Sequence, residues 1–416
     1  MKKTQLGLAT FVLLNSASAS ANIEDLKVSA IINVGYTERD EFSGIAGYGV
    51  DEHSAGLKQG FWNDHSEISI SAPIDDMFFG KLTMALDDHE GETEIELEEA
   101  FVQTTAMPYD LSIRVGRFLS DIGYLNGKHN HTDSFADRPL VYRAFLNGHY
   151  YDDGARLSWL APTDMYLEFG SEIFKGGKMP AYTEGDGIGA YSVFAKTGGD
   201  FNLSNSWQLG ASFLAMDNDT EHCSSHGHEE GEHEEGEHDE ADGHVEDEHE
   251  SFGACDFSGD KEYFMVDAVW KWAPNGNYKY QNFTLAAEYF QVSEKGELHH
   301  DEHEEHEELE PQLVGSILAD EHENIDVEHK GFYVSGVYQF AQNWAAGLRY
   351  SQIDFDEPYS DGFKPKVSTA MIEYRHSHFS TVRLQYNQDK STEDMNDDQI
   401  TLQFSMSLGA HGAHQF

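Results

Sequence analysis

The feature that most limits what this chain can form is a repeating unit. An alternating apolar and polar segment is followed by a short turn, a second alternating segment, and then a polar connection. Val28 to Tyr36 sets the pattern, with Val28, Ala30, Ile32, Val34 and Tyr36 on one face. Glu67 to Ala72 and Lys81 to Leu86 follow, joined through Pro73-Ile74-Asp75-Asp76. Glu94 to Thr104 then pairs with Leu111 to Phe118, and Ala155 to Leu160 with Met165 to Ile173. The series continues with Ala190 to Thr197 and Trp207 to Ala215, then Tyr263 to Trp272 and Phe283 to Gln291. Phe332 to Phe340 with Trp344 to Tyr350, and Val367 to Arg375 with Thr381 to Asn387, precede a last strand from Ile400. A period of two over short segments is a strand signal.

About 16 such strands with short turns alternating with mostly longer loops predict an all-β, transmembrane antiparallel β-barrel. The turns then face the periplasm and the long loops the cell exterior. In the last strand Ile400, Leu402, Phe404, Met406 and Leu408 share the lipid-facing parity, with Thr401, Gln403, Ser405 and Ser407 opposite. A polar inner face is expected on nearly every strand. Trp159, Trp207, Trp272 and Trp344 stand at strand ends beside short turns, as an interfacial girdle would. Trp62 falls in the first loop on this reading.

The N-terminus sets the compartment. Lys2 and Lys3, the apolar stretch Leu6 to Leu14 and Ala19-Ser20-Ala21 read as a secretory signal over residues 1–21. Residues 22–416 then form the barrel, in the outer membrane of a Gram-negative cell, in contact with its lipid. The formal net charge is −50, and loss of the two lysines makes the exported chain more acidic still. Nucleic acid is a poor partner for such a surface.

Much of that charge sits in two runs. Between Asp217 and Asp256 there are 17 Asp or Glu and 7 His, and no Lys or Arg intervenes from Lys196 to Lys261. The first run, 217–260, supplies His222, His226, His228, His233, His238, His244 and His249; the second, 293–329, supplies His299, His300, His303 and His306. Neither shows a core-forming period, so both read as extracellular loops. Imidazole suits zinc, copper and nickel, and carboxylates add weaker oxygen ligands. The spacing gives many weak divalent sites, zinc first, and no tightly bound cofactor. Cys223 and Cys255 bracket most of the first run and are expected to pair as a disulfide in an exported chain; two metal thiolates are the alternative.

Inward parity gives Arg114, Arg156, Arg349, Arg375 and Arg383 as pore-lining. Loop 119–150 is the candidate constriction, with Asp121, Asp133 and Asp137 among its charges and His129, His131 and His149 beside them. Arginines facing an acidic loop would set a transverse field; the alternative is that they neutralise carboxylates in a filled barrel. No G-x-S-x-G, H-E-x-x-H or P-loop pattern occurs, so no enzyme is expected.

Over its mature length the chain resembles Gram-negative outer-membrane porins. The run Arg114-Val115-Gly116-Arg117-Phe118 is similar to the strand before the third loop in phosphate-selective porins. The His/Glu-rich loops resemble those of zinc-associated outer-membrane proteins. Phe416 resembles the terminal aromatic read by the barrel-assembly machinery, and the fold analogy implies a homotrimer. The expected function is passive diffusion, with the loops capturing divalent metal at the pore mouth. Two alternatives stand: a metal-binding or adhesive surface barrel without an open pore, and a general small-solute porin whose loops are a hydrophilic shield.

Overall fold

The computed structural model describes residues 26–40, 44–45, 48, 56–89, 92–183, 187–219, 257–299, 322–360, 362–393 and 396–409. Strand β1 (Lys27–Glu38) is followed by β2, whose two segments Gly60–Asn63 and Ser66–Pro73 are divided by a bulge. Then come β3 (Phe78–His89), β4 (Glu92–Thr104) and β5 (Leu111–Leu119). Next are β6 (Tyr151–Leu160), β7 (Tyr166–Phe174), β8 (Ala190–Asn202) and β9 (Asn205–Asn218). Then β10 (Phe257–Trp272), β11 (Asn282–His299), β12 (His322–Ala341) and β13 (Trp344–Asp354) carry the chain onward. Strands β14 (Lys366–Ser377), β15 (Ser380–Lys390) and β16 (Asp397–Gly409) complete it.

Each strand pairs antiparallel with its sequence neighbours, and β1 pairs with β16, so the 16 strands close on themselves. Closure leaves no strand edge for water to satisfy, which is what a bilayer demands of a sheet. The alternation sets the faces. Val28, Ile32, Ile70, Val115, Leu157, Ile173, Val193, Leu384 and Ile400 are exposed on the outer wall, while Thr401, Gln403, Gln385 and Thr369 are buried inside. A continuous outward apolar band is an outer-membrane signature. Trp159 and Trp344 stand exposed on that outer wall near the turns, as expected of girdle residues.

The structure departs from the sequence reading in three places. Trp62 lies in β2, not a loop; it faces inward, donates from Nε1 to Thr37 at 2.9 Å, and lies flat across the space a side chain on Gly35 would fill. Strands β11 and β12 also run into the second acidic segment as far as His299 and from His322. The reason is an inner-face period hidden among charges: Leu298, Ile325 and Val327 are buried. Finally, the inner face is not polar throughout. On β10 to β13, Tyr263, Met265, Phe290, Val292, Tyr333 and Ile353 are buried in an apolar cluster. What covers them comes from the constriction loop.

The signal segment 1–21, the first acidic run with Cys223 and Cys255, and residues 300–321 lie outside the described residues.

Candidate functional site

Residues 120–150 connect β5 to β6 by folding into the lumen and reaching the far wall. Their apolar part is the helix α1 (Leu140–Leu146), introduced by Pro139 and ended by Asn147 at φ 47°. All seven helical residues are buried. Helix α1 packs on β12 at Gly331, where a Cβ would come within 2.7 Å of Val141 Cγ1 and 3.1 Å of Phe145 Cε2. Phe145 and Tyr142 meet Phe290, with ring centroids 6.3 and 5.2 Å apart, and Tyr48 stacks on Phe355 at 5.0 Å. A buried side chain of this kind contributes about 1.5–3 kcal/mol, so this flank of the loop is held chiefly by area removed from water. One carboxylate lies within it. Glu288 accepts from the hydroxyls of Tyr142 and Tyr333 and from the Tyr124 amide, so its lone pairs are used.

Charge holds the remainder of the loop. The Arg349 guanidinium donates to the Asp137 carboxylate at 2.7 Å and to its carbonyl at 2.6 Å, and Gln385 and Asn387 donate to the same carboxylate. Burial raises the Asp137 carboxyl, but Arg349 and Arg143 outweigh it and hold it below its ordinary value. Arg383 donates to the Asp133 carbonyl at 2.9 Å and pairs with Glu373 at 2.7 Å. Arg156 and Lys196 both pair with Asp121, and Arg138 pairs with Asp133. Arg114 donates to Gln103 at 2.9 Å and lies 4.1 Å over the Phe101 ring; Arg375, half exposed, pairs with Glu373. Arg156, Arg349 and Arg383 therefore anchor the loop to the wall, the first two through the carboxylates of Asp121 and Asp137 and the third through the Asp133 carbonyl, while the Asp133 carboxylate pairs within the loop.

A cavity of about 270 Å³ remains beside the loop, lined by His65, Asp133, Asp137, Arg138, Arg143, His149 and Lys178 among others. It carries both signs of charge and lies on the β2 side, away from the apolar cluster.

That side holds a constellation the sequence reading did not assemble. The pairing steps from Thr83 with Glu99 to Met84 with Leu97, so Glu98 is an extra, bulged residue in β4. The bulge turns two consecutive carboxylates inward, and Glu98 and Glu99 are both buried. A second bulge, in β2, leaves Asp64, His65 and Ser66 opposite Ile32 and Asn33 of β1, with His65 at φ 55°. It brings His65 to the lumen beside Glu67. From the loop come His129, His131 and His149. His65 and His149 contact Glu98 Oε1 at 2.7 and 3.1 Å; His129 Nε2 contacts Glu99 Oε2 at 2.7 Å; His131 contacts Glu67 Oε1 at 2.8 Å. Lys81 pairs with Glu99. The adjacent Glu98-Glu99 pair within a strand was the available signal, since strict alternation would put one of them in lipid.

Of the eleven histidines expected to bind metal, His299 ends β11, and His222, His226, His228, His233, His238, His244, His249, His300, His303 and His306 lie outside the described residues. His329, at the end of the second run, is fully buried in β12, 3.5 Å from Glu294, which also pairs with Lys261 at 2.6 Å.

No family model matches the chain. An uncharacterized protein of Aquifex aeolicus is 27% identical over 394 residues, covering 89% of this chain and 73% of that protein. Three solved structures each align over 92% of this chain with a TM-score of 0.53. They are an anion-selective porin from Comamonas acidovorans (8% identical, 99% of its length), the outer membrane channel DcaP of Acinetobacter baumannii (11%, 97%) and a loop-deleted form of the outer membrane protein OmpT of Vibrio cholerae (10%, 99%). At such identities the likeness is one of fold. Together with the apolar outer band, it makes this chain a 16-stranded, porin-like barrel of a Gram-negative outer membrane.

Proposed function

We propose that the barrel is a passive diffusion channel whose acidic, histidine-rich outer loops gather divalent metal, zinc first, at its mouth. The observation that carries the channel is the lumen itself. Loop 119–150 folds inward, seals one side with apolar packing and leaves a charged, two-signed cavity along the other, which is the proposed passage. The loops contribute ligand density and negative charge, which raise the local concentration of a cation before it enters. The porin-like neighbours support a trimer as the assembled form, because OmpT of Vibrio cholerae is described in a trimer form.

Planar-bilayer recording tests the channel: discrete conductance steps are expected, and a barrel that inserts without conducting would favour the closed surface protein. Deletion of residues 221–250 and 301–310 tests the loops. The deleted strain is expected to grow poorly under zinc limitation and normally when zinc is plentiful. The defect should shrink as pH falls through about 6, where histidine takes up a proton and stops ligating. Equal growth under strong limitation, with the barrel in the membrane, would reduce the loops to a hydrophilic shield.

A further inference from the structure

The His/Glu constellation on the β2–β4 wall has an inner and an outer layer. Each residue at its centre has one polar atom held from behind. Glu98 Oε1 accepts from His65 and His149; Glu67 Oε1 accepts from His131; His129 Nε2 meets Glu99 at 2.7 Å. A carboxylate only accepts, so a proton on Nε2 serves Glu99, and a neutral ring in that tautomer would present a lone pair at Nδ1. Glu99 is itself held by Lys81 and by the Thr83 hydroxyl at 3.0 Å.

The atoms left over converge. His129 Nδ1 lies 3.3 Å from Glu67 Oε2 and 3.3 Å from Glu98 Oε2. Neither His129 Nδ1 nor Glu98 Oε2 has a hydrogen-bond partner, although both atoms are buried and Glu98 is fully so. Two carboxylate oxygens and an imidazole nitrogen facing one another out of water need a positive charge among them, either a proton on the ring or a bound cation. Tetrahedral zinc, with bonds of about 2.0–2.1 Å to nitrogen and oxygen, sets its ligands about 3.3–3.4 Å apart. The two nitrogen–oxygen separations match that edge. The outer layer matches too, because a carboxylate on the far nitrogen of a ligating histidine fixes its tautomer and raises its basicity.

We propose that Glu67 Oε2, Glu98 Oε2 and His129 Nδ1 form a fixed binding site for a divalent transition metal of the zinc type, pinning the constriction loop to the barrel wall. Three protein ligands leave a fourth position for water, as in open zinc sites. His65 and His149, which orient Glu98, line the passage, so the ion sits one residue from the diffusing solute. This site goes beyond the metal-gathering loops: its ligands come from two strands and loop 119–150, and it stands or falls separately from them.

Co²⁺ is the probe, since four-coordinate Co²⁺ absorbs visible light far more strongly than six-coordinate Co²⁺. The folded full-length barrel in detergent is titrated while equilibrium dialysis counts total bound metal. The wild type is expected to develop the four-coordinate band and saturate it at one ion per barrel. Glu98→Gln should abolish the band and leave metal bound by the outer loops in place. Glu99→Gln removes no ligand and should weaken the band's affinity about 10- to 100-fold. No four-coordinate band, or a band unchanged in Glu98→Gln, overturns the site and leaves a protonated His129 as the balancing charge. If Glu98→Gln fails to give the folded, heat-modifiable gel species, Glu99→Gln decides, and unchanged affinity there overturns the site. A total uptake of one ion per barrel would instead remove the loop reading and keep this one.

Discussion

The two flanks of loop 119–150 are held by opposite means. On the β10–β13 side, helix α1 is buried through all seven residues, with the Tyr142 hydroxyl satisfied at Glu288 and the Arg143 guanidinium at Asp389. On the β2–β4 side, buried carboxylates face histidines across distances that depend on a proton or an ion. The first flank needs nothing from solution once folded. The second is a compensation among charges, and its state follows what the outside medium supplies. The passage lies next to the second flank because water wets charged walls and is expelled from apolar ones. One loop thus serves as both seal and pore lining, and the division falls near Arg138 and Pro139, where the chain turns from polar to apolar.

The largest expected effect breaks the charged anchoring. Asp137→Ala strands the Arg349 guanidinium in a buried site, at a cost of about 3–5 kcal/mol. Single-channel conductance should rise and the melting temperature fall. An Asp137→Leu/Arg349→Met pair should recover much of the stability, because it buries no charge. If the single variant leaves both measurements unchanged, the apolar flank alone holds the loop. A smaller effect comes from the other side. Gly331→Val drives a side chain into Val141 and Phe145, an overpacking worth about 1–3 kcal/mol. It should lift the helix and raise conductance with the barrel intact; unchanged conductance would show that the helix is no part of the seal.

The smallest effect is in pH. Burial and the nearby Lys271 pull the Lys128 amine down to about 7. Its folded value lies below the unfolded one, so stability declines as pH falls from about 10.4, the unfolded amine value, and levels off below 7. Within that window, lowering pH through 7 adds one positive charge to the constriction loop. Reversal potentials should shift modestly toward anions, and Lys128→Met should remove the shift.

The wall was legible because lipid and water impose a period of two on it, and Ile400 to Leu408 display it without interruption. The loop's inward fold was legible from its length and charge. What escaped followed from broken periods. At Glu98 and at His65 a single extra residue reverses the phase, so no alternation rule could bring Glu67, Glu98 and His129 together. The apolar lumen left a mark in Phe332-Tyr333-Val334, where three successive apolar residues set Phe332 and Val334 on the exposed outer wall and Tyr333 in the packed lumen. In the second acidic run, Ile325 and Val327 were outweighed by the charges between them. A wall residue and a loop residue meet only in space, which is why Arg349 and Asp137 could be expected to face each other but not to bond.

The reach of β11 and β12 has a consequence of its own. Eighteen and twenty residues are far more than a crossing requires. At about 3.3 Å per residue and a tilt near 45°, β11 rises about 40 Å against an apolar band of about 25 Å. The hairpin is therefore a mast, and its described tip at His299 and His322 stands clear of that apolar band. Glu297 and Glu323, exposed at that tip, therefore meet their ions in water and not at the lipid surface.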